Sequence, residues 1–176
     1  MEEGGIALTD EKEIMERMKE DRRKAEEYIL WYEKHLKEYR TRKEEYLTRN
    51  PGMKVGSAKG SGGSQVEAAA IQSAEYDRRN REYTWLRAVD IVLRSISEHK
   101  RLLVKVRRKA EKKKQHLGRH IPGRKGWVIF VQRRFSEELN KIKPNAENWF
   151  SETTIKTWWK SILDKVVEVH LRIEKR

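Results

Sequence analysis

The sequence predicts an all-α protein in which long N-terminal helices pack as a hairpin or bundle and a C-terminal helix-turn-helix-like domain follows. Three observations carry that expectation. Apolar residues recur at three- and four-residue spacing in both the N-terminal and C-terminal parts of the chain, the period of a helix face. The hydrophobic share is 36% against 39% charged residues, too little for one thick globular core but enough for long, largely exposed helices. Six tryptophans and six tyrosines argue against disorder, because disordered chains are poor in aromatics. The expected organisation is a long helix over 1–48, a Gly/Ser-rich flexible connector over 49–64, a second helical stretch over 65–117 ending in a basic block, a hinge loop over 118–126 and the C-terminal module over 127–176.

In the first stretch, Asp10 and Glu13 have capping-box spacing, which predicts a helix from there to Leu47. Met15, Ile29 and Leu36 share one heptad position, interrupted by Arg22 and Lys43, while Met18, Ala25, Tyr32, Tyr39 and Tyr46 share the position three residues later. Such a coiled-coil-like seam needs a partner helix, from the same chain or from a second subunit. Packing within the chain is favoured, and the tyrosines are read as core rather than as a stacking platform.

Arg49 to Ser64 carries five of the ten glycines and reads as a connector. Its glycines lack the spacing of a phosphate-binding loop and follow a helix rather than a strand, which argues against nucleotide binding. Ser64 and Glu67 form the next capping box. Val66, Ala69, Ala70 and Ala74 make a small-residue face, and Trp85, Val89, Val92, Ile96, Leu103, Val106 and Ala110 continue an apolar stripe toward the basic block. Folding this stretch back on the first helix covers both seams as an antiparallel hairpin.

The net charge of +13 is concentrated. Residues 1–99 contribute −1, residues 100–125 contribute +11 and residues 126–176 contribute +3. So one-sided a block favours a polyanionic partner. Beyond the hinge, Trp127, Phe130, Val131 and Phe135, then Leu139 and Ile142, mark a helix stopped by Pro144 and Asn145. Ser151 is the expected N-cap of a last helix whose stripe runs from Ile155 to Leu171, with Lys156 and Lys160 on the other face.

That outline suits a helix-turn-helix whose last helix enters the DNA major groove by its N-terminal end. Phosphate neutralisation falls to Arg107, Arg108, Lys112, Lys113, Lys114, Arg119, Arg124 and Lys125, with Arg133 and Arg134 as further backbone contacts. Base reading falls to Glu152, Thr153, Thr154, Lys156, Thr157 and Lys160 at the start of the last helix, and Ser151 with the amides behind it can meet a phosphate. The expected partner is double-stranded DNA.

Several function classes find no support. The absence of cysteine excludes disulfides, thiolate metal sites and cysteine catalysis, and is compatible with the cytoplasm. His116 and His120 are four apart but are separated by Gly118 and lack nearby carboxylates, so no metal site is expected. His99 is read as a packed or partly exposed side chain. No catalytic constellation or cofactor motif is visible, so neither an enzyme nor a cofactor is expected. No apolar run approaches the length of a membrane span, and no signal peptide is visible behind Met1, Glu2 and Glu3.

The order of elements resembles the ArpU/RinA-type family of phage late-gene transcription activators over roughly residues 60–170. The resemblance is carried by the connector before SQVEAAAI, the helix WLRAVDIVLRSISEHKRLLV and the module FVQRRF followed by FSETTIKTWWKSILDKVVEVHL. The family has a C-terminal helix-turn-helix similar to sigma-factor region 4. The resemblance implies that Ser151, Thr153, Thr154 and Lys156 stand at the entry of the recognition helix, with promoter DNA as target and RNA polymerase as a further contact in the bacterial host cytoplasm. The chain departs from the family in its basic segment 105–125 and in the long turn KIKPNAENW. A phage small terminase subunit is the runner-up, although its DNA-binding domain is commonly N-terminal. The alternative from another class is a helical adaptor or assembly protein that uses the Tyr and Ala seams for protein partners. For the DNA-binding reading itself, the N-terminal helices are expected to serve packing or homo-oligomerisation.

Overall fold

The computed structural model describes residues 5–49, 65–116, 127–144 and 148–175, with side chains from 11–49, 66–113, 127–144 and 148–175. Among the described residues the protein is all-helical, with seven helices and no strand. They are α1 (Gly5–Leu30), α2 (Tyr32–Arg49), α3 (Gln65–Arg79), α4 (Arg81–Ser95), α5 (Glu98–His116), α6 (Trp127–Ile142) and α7 (Glu152–Glu174). No helix among the described residues is long and apolar enough to cross a membrane.

The first predicted helix is present as α1 and α2, and it begins at Gly5, upstream of the Asp10 capping box. Trp31 lies between the two, but its amide still bonds to the Glu27 carbonyl and the His35 amide bonds to the Trp31 carbonyl. The helical ladder therefore passes through the junction. The second stretch differs more from expectation, because it is broken twice. Asn80 caps α4 by accepting from the Glu82 amide at 3.2 Å, which stops α3 one residue earlier. Ile96 adopts an extended conformation after Ser95, so α5 starts afresh at Glu98.

These breaks let the helices surround one core instead of forming a simple hairpin. α4 and α7 run antiparallel and share the most extensive interface. At one end, Trp85 stacks on His170 at 3.6 Å between ring centroids and Arg81 pairs with Glu174. At the other end, Ser95 to Lys100 and Ser161 to Glu168 line a shallow cleft. α1 lies across the pair, burying Ala25 and Ile29, with Arg22 bound to Asp164 and Glu26 accepting from the Trp159 indole. Leu103, Val104 and Val106 of α5, Val128, Val131, Phe135 and Leu139 of α6, and Ile155, Ile162 and Val166 of α7 complete the cluster. Each such side chain contributes about 1.5–3 kcal/mol by leaving water, which is how a chain this polar holds a fold.

The tyrosine seam packs within the chain, with Tyr39 at its buried centre: Tyr39 stacks on Tyr83 and meets Tyr76, whereas Tyr32 and Tyr46 are half-buried, Tyr46 against Tyr76. Two expectations fail here. Ala69, Ala70 and Ala74 are exposed, because α3 contributes Tyr76 and Asp77 to its contacts with α2 rather than its small residues. Met15 and Met18, at the start of the same seam, are also exposed.

Candidate nucleic-acid interface

α5 is amphipathic in an unusual sense, with a buried face of Leu103, Val104, Val106 and Arg107 and a cationic outer face. Arg101, Lys105, Lys109, Lys112 and Lys113 are all exposed, and 101, 105, 109 and 113 follow one another at four-residue steps along the helix. The candidates Lys112 and Lys113 belong to this stripe. Arg101, Lys105 and Lys109 were not singled out from the sequence, although their spacing was sufficient to find them. The side chain of Lys114, and Arg119, Arg124 and Lys125 with the expected hinge, lie outside the described residues, as do His116's side chain and His120.

Arg107 and Arg108 do not lie on that stripe. Arg107 is only 6% exposed, bonded to Glu111 and to Glu26 at 3.4 Å, with its guanidinium 4.5 Å from the Trp127 ring centroid. Arg108 is partly buried and donates to the Ile29 carbonyl at 2.7 Å, beneath the Tyr32 ring. Burial pulls the Arg108 guanidinium below its ordinary value, against the opposing charge of Glu33. The structure thus uses both arginines to join α5 to α1 and α6, not as free phosphate ligands.

On α6, Arg133 and Arg134 are exposed and share the carboxylate of Glu137 at 3.3 and 2.9 Å. The hydrogen bond and charge of Lys141 hold the neighbouring Glu138 carboxyl below its ordinary value, and the charges of Lys109 and Lys105 add to the effect. The field of the α5 stripe therefore reaches this edge of α6.

The first turns of α7 present a second polar face. Ser151 is the N-cap, accepting from the Thr154 amide at 3.1 Å, and its hydroxyl also bonds the Thr154 hydroxyl at 2.9 Å. Those two hydroxyls are engaged in starting the helix. Thr153, Lys156, Thr157 and Lys160 are exposed at i, i+3, i+4 and i+7, so they form one stripe. Lys156 lies 3.7 Å from Glu152, an exposed pair that constrains it little. The opposite face of α7 is buried by Ile155, Trp159, Ile162 and Leu163. Trp158 is partly buried against Phe135 and Phe150, and Trp159 against Trp127, so the adjacent tryptophans serve two different contacts inside the bundle.

The α5 and α7 faces meet at Lys100. Its ammonium lies 3.4 Å from the Ser161 hydroxyl, in a cleft of about 520 Å³ that Ser97 and Lys165 also line. The cleft's two carboxylates have partners of their own, Asp164 in Arg22 and Glu168 in Arg172. Arg101 and Lys160, the adjoining ends of the two cationic stripes, stand one residue from this contact, and the polar surface is joined there. It is suited to bind a polyanion by charge, with Thr153 and Thr157 offering hydroxyls among the lysines.

No family model matches the chain, and neither a curated protein nor a solved structure shows significant similarity to it.

Proposed function

We propose that this protein binds double-stranded DNA as a sequence-specific regulator of transcription. The observation that carries the reading is the pair of exposed cationic stripes, one along α5 and one of mixed Lys and Thr on α7, whose adjoining ends are linked by the Lys100–Ser161 contact. In this reading Arg101, Lys105, Lys109, Lys112 and Lys113 supply affinity that any duplex satisfies. Thr153, Lys156, Thr157 and Lys160 read base edges, and the amides that open α7 approach a phosphate. The resemblance to ArpU/RinA-type activators adds the finer proposal of late-gene promoters as targets and RNA polymerase as a contact. A small terminase subunit would use the same duplex chemistry for packaging.

The test is binding of the purified protein to a labelled duplex from its own genetic neighbourhood, against unrelated competitor, at two salt concentrations. Salt-weakened binding that resists competitor is the expected result. Binding abolished by competitor points to packaging or other non-specific DNA handling, and absence of binding at low salt overturns the DNA reading. An adaptor role is favoured by one observation, the exposure of Ile14, Met15 and Met18 on α1. None of those residues belongs to the cationic stripes of α5 and α7, so both roles fit in one molecule.

A further inference from the structure

The heptad seam of α1 is open at its start and closed at its end. Ala25 and Ile29 are completely buried, whereas every residue from Glu11 to Glu20 is exposed. Within the open part, Ile14, Met15 and Met18 are 59%, 56% and 46% exposed, and they sit together on one helix face. Apolar groups so placed gain free energy when a second surface covers them.

The charges around them indicate which surface fits. Residues 11–16 hold Glu11, Glu13 and Glu16 against Lys12, a net −2. Residues 17–24 hold Arg17, Lys19, Arg22, Arg23 and Lys24 against Glu20 and Asp21, a net +3. Among the described residues, no side chain from Glu11 to Glu20 is engaged in an ion pair, and Arg22 is the first that is. The segment is thus acidic before its apolar centre and basic after it. A helix of that pattern is complementary to itself turned end for end.

We propose that two copies of this chain pair through the first half of α1, antiparallel, about a two-fold axis between Met15 and Met18. The methionines and Ile14 of the two copies cover one another, and the acidic segment 11–16 of each lies against the basic segment 17–24 of the other. A two-fold interface requires this reciprocity, residue i on j and j on i. Parallel pairing would set acid on acid and base on base, so the charge order selects the antiparallel arrangement. The interface rests on α1 alone and is independent of the DNA reading.

The test uses two charge-reversed full-length chains. One carries Glu11→Lys, Glu13→Lys and Glu16→Lys, making both segments basic, and the other carries Lys19→Glu, Arg23→Glu and Lys24→Glu, making both acidic. All six positions are exposed and both replacement residues are good helix formers, so the fold persists, as circular dichroism can verify. Sedimentation equilibrium is expected to show a reversible dimer for the natural sequence in the micromolar range. Each variant alone should associate roughly tenfold or more weakly, while an equal mixture should form a heterodimer at least as stable as the natural dimer. A natural chain that stays monomeric throughout that range overturns the proposal, as does a mixture that fails to recover association. A basic variant that dimerises as tightly as the natural chain would show that the charge order has no part in the pairing, and equally overturns it.

Discussion

Arg107 illustrates how a single side chain can be assigned to the wrong surface. In the sequence it belongs to the run Arg107-Arg108-Lys109, and local charge density makes all three equivalent. What separates them is Glu26, 81 positions earlier, together with Trp127 and Trp159, which enclose the guanidinium on α5's inner side. No local pattern reveals a partner that distant. Arg107→Ala would leave Glu26 and Glu111 facing an emptied site, and breaking a buried pair costs about 3–5 kcal/mol. The carboxylates are partly exposed, so the lower end is expected, read as a fall in urea midpoint; Lys112→Ala, on the outer stripe, should leave that midpoint unchanged. His170 is the second such residue, buried against Trp85 and hydrogen-bonded to Thr84. Burial lowers its pKa, opposed by the charges of Glu174 and Asp21 and aided by Arg81 and Lys24. The folded state therefore favours the neutral ring, and its contribution is complete above the unfolded value of about 6.5 and is lost as pH falls through the lower folded value. The thermal midpoint should decline on acidification from neutrality toward about pH 5, and His170→Gln should flatten that decline. An unchanged pH profile in the variant would remove His170 from the account.

At the scale of elements, what was legible depended on whether a local signal existed. The Ser151 cap, the stop of α6 at Ile142 before Pro144, and the tyrosine seam all rest on short-range chemistry, and the structure has each of them. The breaks at Asn80 and Ile96 were not read. Asn80 is a good cap hidden among arginines, and Ile96 remains buried in its extended conformation, so the apolar stripe passes over the interruption unbroken. Sequence periodicity reports burial, and burial here continues where the helix does not. The same limit applies to the C-terminal module. Its two helices were expected, but α7's extensive packing on α4 and α1 depends on contacts between distant parts of the chain. The last helix is consequently held along its length by the bundle, with only its outer stripe free. Ser151→Ala should cost about 0.5–2 kcal/mol by losing the bond to the Thr154 amide. Lys156→Ala should leave stability unaltered and lower the preference for specific over unrelated duplex; equal loss on both duplexes would make Lys156 a phosphate contact instead.

At the scale of the whole molecule, the net charge of +13 allows two accounts of any DNA affinity, a diffuse attraction or a set of phosphate contacts on one surface. Placement distinguishes them where composition cannot. Lys105, Lys109, Lys112 and Lys113 lie on the α5 stripe, whereas Lys34, Lys37, Arg40 and Arg79 are exposed on α2 and α3. Replacing either group of four with glutamine removes the same charge from exposed positions, so the two variants share one net charge and differ only in where it was lost. If the stripe neutralises phosphates, the slope of log affinity against log salt falls by about 0.9 for each contact removed, approaching 3.6 for the α5 variant. The α2/α3 variant should retain nearly the natural slope. Equal flattening in both would show that diffuse charge suffices, and would leave α5 with no special part in binding. The comparison needs only a duplex and a salt series, and it holds whether the protein acts as one copy or two, because each copy carries its own stripe.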